Sequence, residues 1–95
     1  MSSDNFIDGN PSNPIEVREG HGVYLVRQGG DRIDTTVVIA KVNTQNNTRY
    51  DQKRFTLKAG KNVLDTGIRG PVVISAQRET GSDLVTVTTK VPEMG

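Results

Sequence analysis

Thr35-Thr36-Val37-Val38-Ile39-Ala40-Lys41-Val42 is the stretch whose reading decides the fold. Val38, Ala40 and Val42 alternate with Val37, Ile39 and Lys41, so the two sets fall on opposite faces of an extended chain. Most of these side chains are β-branched, which suits a pleated surface. A strand apolar on both faces belongs inside a sheet, and this one is expected to be central.

The same two-residue period recurs on either side of it. Toward the N-terminus, Val23, Leu25 and Arg27 alternate with Tyr24 and Val26, and Gln28-Gly29-Gly30-Asp31 supplies the turn that follows. Residues 15–18 form a short edge strand before Gly20-His21-Gly22. Toward the C-terminus, residues 43–47 are a polar turn cluster, and residues 53–58 place Phe55 and Leu57 inward against Arg54, Thr56 and Lys58. After a turn at 59–62, Val63 and Leu64 make a short strand closed by Thr66-Gly67. Val72, Ile74 and Ala76 then alternate with Val73 and Ser75. Val85, Val87 and Val91 share one face of the last strand, which Pro92 ends. Seven strands at intervals of about ten residues, with no long apolar stripe of helical period, predict an all-β fold: a small antiparallel β-sandwich or barrel.

Residues 1–14 read differently. Ser, Asp, Asn, Gly and Pro dominate, with Phe6 and Ile7 as an isolated apolar pair and prolines at 11 and 14. Such a stretch buries too little to order itself, and the prolines favour extended backbone. The expected organisation is therefore an N-terminal segment, 1–14, followed by one domain, 15–95. The segment is either an arm that reaches across a neighbour or a frayed tail.

Ninety-five residues close one hydrophobic core, hiding roughly two thirds of the unfolded chain's surface. With 12 basic and 11 acidic side chains, no net field draws in a polyanion, so nucleic acid is not an expected partner. The chain has no cysteine, hence no disulfide framework and no thiolate metal site. Its apolar runs fall well short of the ~20 residues that cross a bilayer as a helix, and its first residues lack the pattern of a signal peptide. Neither a membrane nor secretion is expected, and the sequon at Asn46-Asn47-Thr48 is set aside for that reason.

Catalytic chemistry finds little to work with. The single histidine, His21, lies between two glycines with only Glu19 near it, which is turn chemistry short of a ligand set. Ser75 lacks the glycine-flanked elbow of a nucleophile, and the glycine pairs do not open a phosphate loop. The carboxylates Asp31, Asp34, Asp51 and Asp65 occupy turns and strand ends, where acids are ordinary. No enzyme, cofactor or metal is expected. The candidates are instead for partner binding: Phe6, Ile7, Pro11 and Pro14 in the leading segment, and Arg49, Arg54 and Lys58 in the densest basic region. Tyr50 and Phe55 are the only aromatics there, too few to stack RNA bases, so a solvated or partner-facing strand is expected.

In layout, Gly20-His21-Gly22-Val23-Tyr24, the strand 36–42, Leu57-Lys58-Ala59-Gly60, Ile68-Arg69-Gly70-Pro71-Val72 and residues 84–92 resemble the small β proteins of tailed-bacteriophage virions. The resemblance implies a capsid decoration protein, made in the bacterial cytoplasm and seated on the exterior of the head. Its implied partner is the major capsid protein or another virion protein, in a homo-oligomer such as a trimer. Other roles stay open: a tail, neck or fibre module, or a non-viral carbohydrate-binding or adhesive sandwich, against which the 4% aromatic content counts.

Overall fold

A computed structural model of the chain describes residues 3–29, 32–81 and 84–92. Eight strands run through them: β1 (Ser3–Ile7), β2 (Ile15–Val17), β3 (Gly22–Arg27), β4 (Thr35–Asn43), β5 (Thr48–Leu57), β6 (Asn62–Arg69), β7 (Val72–Thr80) and β8 (Val85–Lys90). Among the described residues there is no helix.

The strands form two antiparallel four-stranded sheets, ordered β1-β8-β3-β6 and β2-β7-β4-β5. That order has a simple generator. Each strand of the first half pairs with its mirror position in the second, β4 with β5, β3 with β6, β2 with β7 and β1 with β8. Four nested hairpins folded across one another give the eight-stranded jelly roll, a double-sheet solution to closing an all-β core. β4 lies between β7 and β5, the interior place its two apolar faces require. β2 is an edge, as its length suggests.

The alternation sorts the core as expected. Val23 and Leu25 of β3, Val37 and Ile39 of β4, Ile74 and Ala76 of β7, and Val85 and Val87 of β8 fill the space between the sheets. Phe55, Leu64, Ile68 and Val72 pack around its margin. The shortest extent of the molecule, 18 Å, accommodates two sheets about 10 Å apart.

One inward position carries a charge. Arg27 continues the core-facing set of Val23 and Leu25 and is wholly buried. Its guanidinium donates from Nη1 to the carbonyl oxygens of Leu57 (3.1 Å) and Lys58 (2.9 Å), and from Nη2 to that of Ile33 (2.6 Å). A charge so placed is tolerated because backbone carbonyls replace its water.

The boundary expected at Pro14 does not separate an arm from the domain. β1 is the edge strand of the first sheet, in register with β8 from Ser3↔Thr89 to Ile7↔Val85. Ile7, 4% exposed, is part of the core. Residues 8–12 then run along the margin of β7 beyond β2: the Arg78 amide donates to the Asp8 carbonyl and the Ser12 amide to the Ala76 carbonyl, both at 2.8 Å. Ser12 is fastened twice more, Oγ accepting from the Ala76 amide at 3.0 Å and its carbonyl from Ser75 Oγ at 2.8 Å. The segment lacks apolar content of its own, but β8 and β7 offer it unpaired backbone groups, and these order it.

Smaller departures have equally local causes. β5 starts at Thr48, not at 53, because its first residues pair with residues 41–43 of β4. β6 continues through Thr66-Gly67, expected as a turn: Gly67 takes φ 78°, its amide bonding Asp65 Oδ1 at 2.9 Å, and the strand resumes. Val91 is 62% exposed because β8 ends at Lys90, before the inward set of Val85, Val87 and Thr89 can extend to it.

Candidate docking surface

Register across the first sheet determines what its outer face presents. Phe6 lies opposite Thr86, Thr86 opposite Val26, and Val26 opposite Val63, so one row crosses all four strands. Paired residues of a sheet share a face, and this row is the one turned away from the core. Phe6 is 72% exposed and Val63 64%, with Val26 half-buried between them. Leu84, 61% exposed, lies just ahead of Val85 and stands on the same side by alternation; its carbonyl accepts from the Gln28 amide at 3.1 Å. A hollow of about 310 Å³ opens on this face, lined by Phe6, Val26, Gln28, Thr86 and Thr88.

Further along the strands the face becomes charged. Thr88, Tyr24 and Asp65 form the next row, and Lys90, Gly22 and Arg69 the one after. Lys90 Nζ stands 4.6 Å from the centroid of the Tyr24 ring and Arg69 Cζ 5.9 Å from it, each drawn to the negative face of the ring. Gly22 makes room: a Cβ there would meet Arg69 Nη1 at 2.7 Å. Arg69 also holds Asp65 through two hydrogen bonds, at 3.1 and 3.0 Å. That bond, with help from the Gly67 amide, keeps the Asp65 carboxyl below its ordinary pKa. The face therefore grades from an apolar end to one of mixed charge.

The second sheet turns a different surface outward. Arg54 clasps Glu79 with Nε (2.8 Å) and Nη2 (3.2 Å), which raises the arginine's pKa and lowers the glutamate's. Lys58 Nζ is 4.0 Å from Asp34, and Lys41 Nζ 3.3 Å from Asp51. These exposed pairs answer one another within the chain.

The residues singled out from the sequence thus separate. Phe6 stands in the apolar row. Ile7 is turned into the core and offers a partner nothing, since the alternation that exposes Phe6 hides its neighbour. Pro11 and Pro14 line two adjoining hollows, and Arg49 joins them at the second, of about 260 Å³. Arg54 and Lys58 are engaged with carboxylates of the same chain. His21 lies in the turn before β3, its amide donating to the Arg18 carbonyl (3.0 Å) and its carbonyl accepting from the Gly70 amide (2.9 Å).

The reading of the sequence missed Val26, Val63 and Leu84 as surface residues. Alternation against Leu25 and Val85 places Val26 and Leu84 outward, but Val63 becomes legible only once β6 is paired with β3. No protein-family model, no curated protein and no solved structure matches the chain.

Proposed function

We propose that this chain is a structural protein of a tailed-bacteriophage virion, a head decoration protein that docks through the outer face of β1-β8-β3-β6 onto the major capsid protein. The observation that carries the reading is the apolar row from Phe6 through Val26 to Val63, with Leu84 beside it, left open on the outer face of the sheet. Protein interfaces bury such apolar centres inside a polar rim, and here Lys90, Arg69, Asp65 and Thr88 supply the rim. The jelly-roll order of the strands supports a virion role by analogy, since viral capsid domains reuse it.

The mode of action is mechanical. Seating the face removes apolar surface from water, and a footprint that spans two coat subunits makes their separation cost that burial as well. The role needs no cofactor and no turnover.

Purified chain mixed with expanded, undecorated heads tests this by co-sedimentation. Wild-type protein binds saturably and raises the temperature at which heads rupture, and the variant F6S/V63S binds at least tenfold more weakly. Absence from purified virions, or wild-type protein left in the supernatant, refutes the reading. Recovery from isolated tails and not from heads would move the chain to the tail.

A further inference from the structure

Each sheet has two edges, and three of the four are guarded against pairing with another chain. β2 is only three residues long. β5 carries Arg49, Lys53 and Arg54, and its ladder with β4 shifts register between Ile39 and Lys41, beside Asp51 at φ 54°. β6 is interrupted by Gly67 at φ 78°, and its ladder with β3 also shifts register. Short strands, positive charges and bulges are the usual devices against stray edge pairing.

β1 has none of them. Its sequence, Ser3-Asp4-Asn5-Phe6-Ile7, contains no lysine, arginine, proline or glycine, and its ladder with β8 runs through five pairs without a shift. It stands first in its sheet, so the backbone groups on its far side meet no strand among the described residues.

We infer that β1 pairs antiparallel with β1 of a second copy, joining two four-stranded sheets into one of eight. An antiparallel strand is its own complement under a two-fold axis, so a single unguarded edge suffices for a closed dimer. Residues opposite each other in a sheet share a face, which limits the axis to a residue facing itself across it, Asn5 or Phe6 at the centre of the strand. Either choice leaves Phe6 of both copies on the outer face. With the axis at Phe6 the row Val63, Val26, Thr86, Phe6 continues into Phe6, Thr86, Val26, Val63 of the second copy as one band; with it at Asn5 the two rows lie side by side, offset by two residues. β1 holds a single charged residue, Asp4, which faces Phe6 of the second copy with the axis at Asn5 and Asp8 with it at Phe6, so repulsion favours the first register.

The axis of such a pair is perpendicular to the sheet, so both outer faces point the same way. Dimerisation does not depend on the virion reading. If that reading holds as well, the dimer presents two docking faces to one surface and gains from their linkage.

The cysteine-free chain makes the test direct. Sedimentation velocity from about 1 µM to about 1 mM, the range expected of a small interface, should show the apparent mass doubling and no larger species. N5K, which points a lysine inward at the edge, should stay monomeric with its β-type circular dichroism retained. Of the single-cysteine variants N5C and F6C, one should form a disulfide-linked dimer under mild oxidation at least tenfold faster than V63C on the opposite edge. A wild-type monomer throughout, a trimer, or V63C crosslinking as fast as both β1 variants would overturn the inference. Head binding by a strictly monomeric protein would overturn the dimer and leave the docking face standing.

Discussion

Arg27 of β3 donates to the carbonyl oxygen of Leu57 at the end of β5, a bond of 3.1 Å that crosses from one sheet to the other inside the protein. The same guanidinium holds Lys58 and Ile33, so one side chain ties the β5–β6 turn and the approach to β4 onto β3. Arg27→Ala would leave these carbonyls without their donor in a closed interior and empty the volume of the side chain. The expected loss is about 3–5 kcal/mol, a large part of the stability of a domain this size. Arg27→Lys should recover part of it, because an ammonium reaches fewer acceptors than the planar fork. Urea denaturation of the two variants measures both.

A second buried polar group has the opposite expectation. Thr35 is fully buried, and its Oγ1 has no hydrogen-bond partner among the described residues. Replacing the hydroxyl with a methyl in Thr35→Val removes a desolvated group without changing shape. Stability should rise by about 1 kcal/mol. A midpoint shift to higher urea at unchanged slope is the expected result.

The proposed docking face should be separable from the fold. Phe6, Val63 and Leu84 are each more than half exposed, so serine at any one of them should change stability by no more than about 0.5 kcal/mol. Thermal melts of the three variants, run beside head binding, should show binding lost while the transition stays in place.

Acid should weaken the protein through two carboxylates. Asp65 and Glu79 have folded pKa values below their ordinary ones, chiefly through hydrogen bonds from Arg69 and Arg54 respectively. A depressed carboxyl stabilises the fold at pH above its unfolded value and loses that contribution as pH falls through the folded one. The melting temperature should therefore hold steady from neutrality down to about pH 5 and fall below about pH 4. D65N and E79Q should melt slightly below wild type at pH 7 and approach it in acid, a modest gap because both pairs face water.

How much of this was readable beforehand follows from where each strand's apolar content lies. β3, β4, β7 and β8 carry their own alternation, and their inward sets are those the sequence indicates. β1 has only Ile7 to bury, so its composition resembles a tail; it is a strand because β8 provides the pairing. The start of β5 is polar throughout and is defined by β4 in the same way. Local pattern reveals strands that contribute to the core and misses those recruited by a neighbour's edge. The proposed docking face was legible at one point, Phe6. The other members of the row come from register between strands far apart in sequence, which no local period contains. Arg54 and Lys58 looked available because Glu79 and Asp34, distant along the chain, come beside them only after folding.

The nesting of the hairpins also sets an order of assembly. Asn43↔Thr48 closes a short loop, Arg27↔Asn62 a longer one, Val17↔Val72 longer again, and Ile7↔Val85 encloses nearly the whole chain. Each doubling of loop length costs only about 0.6 kcal/mol when the intervening chain is free, and less once inner pairs have already gathered it. The molecule should thus zip from its middle outward, slowly for its size because its pairings are so remote along the chain. β1 is then the final strand to be secured and the earliest to be released, and its amides should exchange with solvent well ahead of those of β4.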